Sequence, residues 1–435
     1  MERVDCIVVG GGLAGLSAAY GLAAEGLEVM VLERGDYSAA KNVTGGRLYA
    51  SFIRDLYPEL WESAPFERPV ARELLTFMGD GAHTTVELAS DRFAEAPHQS
   101  YTVLRARFDQ WFADQVMEKG GMVIPKMRAD ELLLDNGKVI GIRAGDDEIG
   151  ADVTIIAEGV LGLLSTAAGL REEAAPRDHA LGFKEIIELP PGTIEDRWNL
   201  NEGEGAAQLF VGSVTQGMLG GGFLYTNKDS LSLGVVLGME AMRERGAHVG
   251  HGQMVKSYEL LDAFKELPQI KPLVAGGTSV EYSAHAIPEG GFAKVPKLFG
   301  EGYLLVGDTA GLALNALYTV RGMDFAIASG YHAARAVVEA KKRGDLSAAS
   351  LAQYDQSLKS SFVLKDLETA REIPRIIEND RIFTHYPVAV SQLLEQVFTL
   401  GPRPSPPLVK SVVSKVRKDF LNMATLKDLM SFRKM

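Results

Sequence analysis

The first 35 residues constrain the chain more than any other stretch. An apolar run, Val4-Asp5-Cys6-Ile7-Val8-Val9, leads into Gly10-Gly11-Gly12-Leu13-Ala14-Gly15. An Ala/Leu-rich segment continues to Gly26, and a second apolar run, Val29-Met30-Val31-Leu32, ends in Glu33-Arg34. Strand, glycine turn, helix, strand and acid in this order predict a β-α-β dinucleotide site. Gly10 allows the tight turn, Gly12 lets a pyrophosphate approach the backbone, and Gly15 lets the helix pack closely on the strand. Leu13 and Ala14 open the helix, whose free N–H groups and partial positive charge face the phosphates. Glu33 stands where a carboxylate binds ribose hydroxyls, with Arg34 beside it.

A chain of 435 residues can bury one large core or two to three modest ones. Its formal charge of -12 argues against nucleic acid as a partner, because a polyanion needs a basic surface. No uncharged run approaches the length of a membrane-spanning helix, and the first strand begins at once, which leaves no room for a signal peptide. The expectation is a cytoplasmic protein. The single cysteine, Cys6, cannot form an internal disulfide. Nor can it hold an iron–sulfur cluster, which takes about four thiolates.

Two later segments complete a pattern with residues 10–33: 103–111, containing Val103-Leu104-Arg105, and 302–326, containing Gly307-Asp308 and Arg321-Gly322-Met323-Asp324. Together they resemble the FAD-binding fold of the glutathione-reductase/p-hydroxybenzoate-hydroxylase type. The resemblance implies an α/β protein in which Asp308 meets the ribityl and pyrophosphate region and Arg105 helps to anchor the cofactor. The helix opening at Gly322-Met323 would aim its positive end at the flavin ring. Gly45-Gly46, followed by Arg47, would let backbone lie against a flat ligand; an ordinary turn is the other reading.

Further motifs narrow the resemblance: Lys41-Asn42-Val43-Thr44-Gly45-Gly46-Arg47-Leu48-Tyr49, Gly182-Phe183-Lys184-Glu185, Gly220-Gly221-Gly222-Phe223-Leu224-Tyr225-Thr226-Asn227 and Glu281-Tyr282-Ser283-Ala284-His285. They are similar to those of FixC-type proteins in the electron-transfer-flavoprotein:quinone oxidoreductase family. The resemblance implies FAD, electrons received from a two-subunit electron transfer flavoprotein, and delivery toward a quinone. Longer members carry a four-iron cluster that this chain cannot hold, so a separate ferredoxin-like subunit of FixX type is implied.

On this reading the FAD-binding domain comprises residues 1–72, 103–180 and 276–345. Residues 73–102 form a hairpin of a second sheet domain, turned at Gly79-Asp80-Gly81. Residues 181–275 form the antiparallel, quinone-side domain, and 346–435 a helical C-terminal region. Finer expectations are a helix at 51–66, short strands at 122–128, 131–135 and 138–144 with a turn at Asn136-Gly137, and a buried parallel strand at 152–157.

His285 is the one catalytic candidate: it could relay a proton to a quinone or hydrogen-bond the flavin, or be a structural histidine before Pro288. His248 and His251 flank Gly250 in a loop with no further ligands, so no metal site is expected. Phe223, Leu224 and Tyr225 could line a quinone pocket or form sheet core. Flavin hydroxylases carry an Asp-Gly with a downstream Arg for NAD(P)H; here Glu158-Gly159 has no Arg before Arg171, which disfavours direct reduction by NAD(P)H.

Residues 410–435 hold seven Lys/Arg against two acids, and Val409, Val412, Val413, Val416 and Phe420 share one helical face. Such a helix suits peripheral contact with the inner face of the cell membrane or an acidic partner, or it packs on its own domain. Three other readings stand: a geranylgeranyl-reductase-like flavoprotein reducing isoprenoid double bonds, a flavin monooxygenase, and an FAD-holding scaffold without turnover. The first of these families often carries a cysteine where this chain has Thr44.

Overall fold

The computed structural model describes residues 2–38, 40–41, 46–248, 256–402 and 407–433. Strand β1 (Glu2–Val9) lies inside a parallel sheet, between β2 (Val29–Leu32) and the strand Asp147–Ile156. Tyr303–Leu305 extends this sheet beyond Asp147–Ile156, and Met122–Ile124 extends it beyond β2. Cys6, Ile7 and Val8 are all fully buried, because both faces of the sheet are covered; hence an apolar run rather than an alternation.

Helix α1 (Leu13–Ala24) is apolar all round and almost wholly buried, as a helix covered on several sides must be. The long helix Met323–Arg343 crosses it at very short range. A Cβ on Gly330 would stand 2.2 Å from the Ala14 carbonyl oxygen, so this approach requires glycine. Ser17 Oγ fixes the crossing by donating to the Ile327 carbonyl at 2.7 Å.

The hairpin Glu131–Asp135/Lys138–Ala144 pairs antiparallel onto Asp147–Ile156. Its turn places Asn136 and Gly137 at φ 47° and 82°, the left-handed pair that a two-residue hairpin needs. A second sheet runs Thr278–Pro288, His179–Glu188, Ser230–Gly238, Gly220–Thr226, Gly205–Gly212, Val70–Met78, His83–Ala89. All neighbours are antiparallel except Gly205–Gly212 with Val70–Met78. Its core gathers Phe183, Phe210, Leu233 and Phe264, the last from the helix Ser257–Glu266.

Several expectations are corrected. Residues 51–66 form short 3-10 turns, Ala50–Phe52 and Leu60–Ser63, rather than a helix. Tertiary bonds hold them: Tyr57 Oη donates to the Ser17 carbonyl at 2.8 Å and Trp61 Nε1 to that of Ile53 at 3.0 Å. Thr278–Pro288, expected in the third part of the FAD-binding domain, instead pairs with His179–Glu188 at one edge of the second sheet. The hairpin expected within 73–102 does form in the second sheet, as strands Val70–Met78 and His83–Ala89 at its opposite edge. His248 ends the helix Met239–His248 rather than lying in a loop, and His251 is outside the described residues. In the helical C-terminal region, Arg381–Phe398 lies on the second sheet, where Ser391 Oγ donates to the Phe77 carbonyl at 3.3 Å.

Candidate cofactor and substrate site

The glycines of the first turn divide into two kinds. Gly10 has φ 110°, and a Cβ there would stand 2.2 Å from the Ala157 carbonyl oxygen; at Gly15 it would stand 2.0 Å from that of Gly10. Both are demanded by the protein's own packing. Gly12 is different: the space where its side chain would stand is empty to 4 Å. A glycine kept beside open space at a helix N-terminus marks room for a ligand rather than for the fold.

That space belongs to two adjoining cavities that share Gly12, Ala157, Gly159 and His285 in their walls. The smaller, about 1260 Å³ with its mouth, runs along Gly10, Glu33, Arg34 and Lys41. Glu33 is nearly buried, and its carboxylate accepts from the N–H groups of Gly11 at 3.0 Å and Gly35 at 2.5 Å. The larger cavity, about 1820 Å³ with its mouth, lies between the two sheets. Leu13, Ala14, Gly46, Arg105, Asp308, Gly322 and Met323 line it, opposite Phe210, Gly221, Phe223 and Tyr225 of the second sheet. The structure thus brings together Gly10, Gly12, Leu13, Ala14, Glu33, Arg34, Gly46, Arg105, His285, Asp308, Gly322 and Met323. Gly15 and Gly307 stand behind the walls, and Gly45, like Thr44, is outside the described residues.

The turn carrying Asp308 is tied from both sides. Ser329 Oγ accepts from Gly307 N–H at 2.9 Å, and Thr309 Oγ1 accepts from Gly159 N–H at 2.9 Å. Burial pushes the Asp308 carboxyl up to about 6, against the opposing pull of Arg105. Arg105 makes a bidentate pair with buried Asp109 one helical turn on, at 2.7 and 2.6 Å. Its rigid fork therefore enters the cavity wall already oriented. Helix Met323–Arg343 begins at this wall, so the positive end of its dipole faces the larger cavity.

His285 stands where the cavities meet. Burial, together with the positive charges of Arg105 and Arg34, pushes its pKa down to about 4, so the ring is neutral at physiological pH. One ring nitrogen bonds the Lys41 backbone, while buried Nε2 has no partner among the described residues. A buried acceptor left without a donor is costly unless a ligand supplies one. The empty space at Gly12 and the orphaned Nε2 both fit a dinucleotide cofactor spanning the two cavities.

Three lining residues carry chemistry that the sequence reading did not single out. Lys184 is 2% exposed, and burial lowers its pKa to about 8 in spite of Glu281. Its signal was a lysine inside the strand run Phe183-Lys184-Glu185-Ile186. Arg321 pairs with Asp324 and Asp366, and its guanidinium lies 3.7 Å from the Phe52 ring centroid. Glu289, just past Pro288, had no sequence signal at all. Glu158 is occupied structurally: its carboxylate accepts from Leu164 and Ser165 N–H, both at 2.8 Å. Among the described residues no group of three or more His, Cys, Asp or Glu could hold a metal ion.

Residues 5–98 match the FAD dependent oxidoreductase family, and residues 373–435 match the ETF-QO/FixC family C-terminal domain. The chain is 45% identical over 418 residues to an Escherichia coli K12 protein named "Probable electron transfer flavoprotein-quinone oxidoreductase YdiS", covering 96% of this chain and 95% of that one. It is 43% identical to Protein FixC of the same strain, covering 91% of this chain and 90% of the relative. The chain belongs to the electron-transfer-flavoprotein:quinone oxidoreductase/FixC family. It is an FAD-dependent electron-transfer oxidoreductase. Among solved structures, a geranylgeranyl bacteriochlorophyll reductase-like protein of Thermoplasma acidophilum superposes with a TM-score of 0.72 over 99% of both chains, at 20% identity. The halogenase CndH gives 0.61 at 18% identity, covering 96% of this chain and 90% of that one. These two likenesses establish the α/β fold of FAD-dependent enzymes for this member of the FixC family.

Proposed function

We propose that this FixC-family protein takes electrons from a two-subunit electron transfer flavoprotein and passes them toward a quinone. The observation that carries the reading is the apolar end of the larger cavity. Beyond Asp308 it is walled by Phe210, Val211, Leu219, Phe223, Leu317 and Val320, which suits a flat, apolar acceptor. Relatives named for electron transfer flavoprotein and quinone support the same reading.

Bound FAD supplies acceptance of an electron pair and its release one electron at a time. The chain's own residues bind and orient. The empty space at Gly12 and the α1 N-terminus receive the pyrophosphate, Glu33 the ribose, and Arg105 with Asp308 the middle of the cofactor. Gly46 is a glycine because a Cβ there would stand 2.7 Å from the Tyr225 ring, and the N-terminus of Met323–Arg343 favours negative charge at the cofactor ring. His285, neutral at working pH, accepts a hydrogen bond at the cavity junction rather than relaying protons. Cys6 is buried and alone, so a four-iron cluster would sit on a separate ferredoxin-like subunit.

The test is to add reduced electron transfer flavoprotein to the purified protein, follow bleaching of its flavin absorbance, then add a short-chain quinone and measure iron in the co-purified complex. Bleaching followed by quinone-dependent reoxidation is expected. Oxygen uptake with NAD(P)H, or saturation of a prenyl substrate instead, would replace this reading with one of the others.

The same reading places the protein on the inner membrane face. No helix among the described residues is long and apolar enough to cross a membrane. The helices Leu408–Asp419 and Met423–Phe432 and the link between them nevertheless expose Leu408, Val409, Val413, Leu421, Met423, Leu426, Leu429 and Met430. Val412, Val416 and Phe420 are partly covered, so the face expected to be a single stripe is split between packing and exposure. Both acids are engaged: Asp419 pairs with Lys415 at 2.9 Å, and buried Asp428 with Arg381 at 2.8 Å. Lys410, Arg417, Lys418 and Lys427 surround the apolar patch, and each cation near an anionic surface contributes ~1 kcal/mol. Co-sedimentation with phosphatidylglycerol vesicles is expected, with little on phosphatidylcholine. Replacing Lys418 and Lys427 by Gln should weaken it about thirtyfold (~2 kcal/mol).

A further inference from the structure

At the apolar end of the larger cavity one carboxyl group has no counter-charge among the described residues. Glu289 follows the edge strand Thr278–Pro288, and its N–H donates to the Asp178 carbonyl at 2.8 Å, which holds the residue in the wall. Among the described residues its carboxylate oxygens meet the amide of Asn315, at 3.4 Å each. That amide cannot turn freely: Leu317 N–H donates to Asn315 Oδ1 at 3.0 Å, which directs Nδ2 at Glu289. Behind the carboxyl lie Leu367, Ala370, Pro374 and Ile377, and on the cavity side Leu317.

The charged groups around it are committed elsewhere or stand apart. Lys294 Nζ bonds Asp178 at 3.1 Å, and Arg321 bonds Asp324 and Asp366. Arg47 bonds Glu73, and Arg105 bonds Asp109. Lys184, His285 and Asp308 line the same cavity, yet among the described residues no charged side chain pairs with Glu289. Burial alone pushes the carboxyl up to about 7, with Asn315 opposing. The group thus gains and loses its proton near neutral pH, in an apolar pocket.

We propose that Glu289 is a catalytic acid that donates a proton to a quinone carbonyl oxygen bound at the apolar end of the larger cavity. This rests on the function proposed above. The step balances as quinone plus two electrons plus two protons giving hydroquinone. The electrons come from the chain's electron-transfer activity. One proton comes from the Glu289 O–H, which breaks as the new quinol O–H forms, and the second comes from water. The carboxylate left behind is then reprotonated from solvent. Because the acid form is needed, quinone reduction falls as pH rises through about 7.

The experiment compares wild type with Glu289→Gln using decylubiquinone and ferricyanide, an acceptor that takes no proton. The ratio of quinone to ferricyanide turnover should fall about 100-fold or more in the variant, and the decline above neutral pH should vanish. Infrared spectra of the oxidised wild type below pH 7 should show a protonated carboxyl band that shifts on adding decylubiquinone and is missing in Glu289→Gln. An unchanged turnover ratio, or a band indifferent to the quinone, overturns the assignment while the proposed function stands. If wild type charged by the electron transfer flavoprotein leaves decylubiquinone oxidised, both fall. Should the variant fail to fold, the wild-type band and pH profile still decide.

Discussion

Gly12→Val is expected to give a folded, colourless protein. The α-carbon of Gly12 faces space empty to 4 Å, and its backbone, at φ -87° and ψ 179°, suits any residue. The Cβ of a valine there meets no protein atom within 4 Å, and its methyl groups occupy the approach to the α1 N-terminus. FAD affinity should drop at least about 100-fold, equivalent to ~3 kcal/mol. Thermal unfolding followed in the absence of added FAD should match that of wild type stripped of cofactor. Gly15→Val is the contrasting case: its Cβ would stand 2.0 Å from the Gly10 carbonyl oxygen and 3.0 Å from the Val8 side chain. That variant should lose solubility or unfold early. Equal thermal damage from both substitutions would show that Gly12 serves packing and not a ligand.

Arg105→Met is expected to produce the largest loss of stability of any single change in the cavity wall. It would leave Asp109, 0% exposed, as a buried carboxylate without its bidentate partner, at a cost of about 3–5 kcal/mol. The loss has a pH signature. Burial already raises the Asp109 pKa, and Arg105 is what opposes it. Without the arginine, the folded protein holds that proton more tightly than the unfolded chain does. Stability is then lost as pH rises above the unfolded value and recovered as pH falls toward it. The double variant Arg105→Met/Asp109→Leu should regain most of the stability at neutral pH, since an apolar pair can replace a buried ion pair. It should not regain FAD, because the guanidinium that fronts Asp308 is still missing. Denaturant midpoints and flavin content, measured on the same preparations, separate the two roles.

What could be read from the sequence was local. The β1–α1–β2 unit announces itself because each glycine, apolar run and acid lies within one short stretch. The hairpin at Asn136-Gly137 announces itself because only such a pair turns two strands in two residues. What could not be read was set by distant contacts. Residues 51–66 have enough apolar spacing for a helix, but Tyr57 is held by a bond to the distant Ser17 carbonyl, and no helix forms. The strand Thr278–Pro288 finds its partner at His179–Glu188, so its place in the second sheet has no local mark.

The site followed the same division. Residues belonging to motifs came together around the two cavities. Lys184 and Glu289 emerged only when the second sheet was folded over the first and showed which charged groups it had enclosed. His285 was visible as a residue, but its neutrality was not, because that depends on burial and on Arg105 and Arg34.

The crossing at Gly330 also has a consequence for how the protein is made. The cofactor cleft is closed by a strand at Tyr303–Leu305 and a helix that ends at Arg343, whereas its glycine turn is complete by Gly15. A chain still on the ribosome with only β1, α1 and the second sheet outside has one wall of the cleft and none of the far side. Its strand edges and apolar lining are then bare, the condition in which large α/β chains aggregate. Cofactor loading is therefore an event of late synthesis, and supply of FAD at that moment would govern yield as much as affinity does in the finished protein.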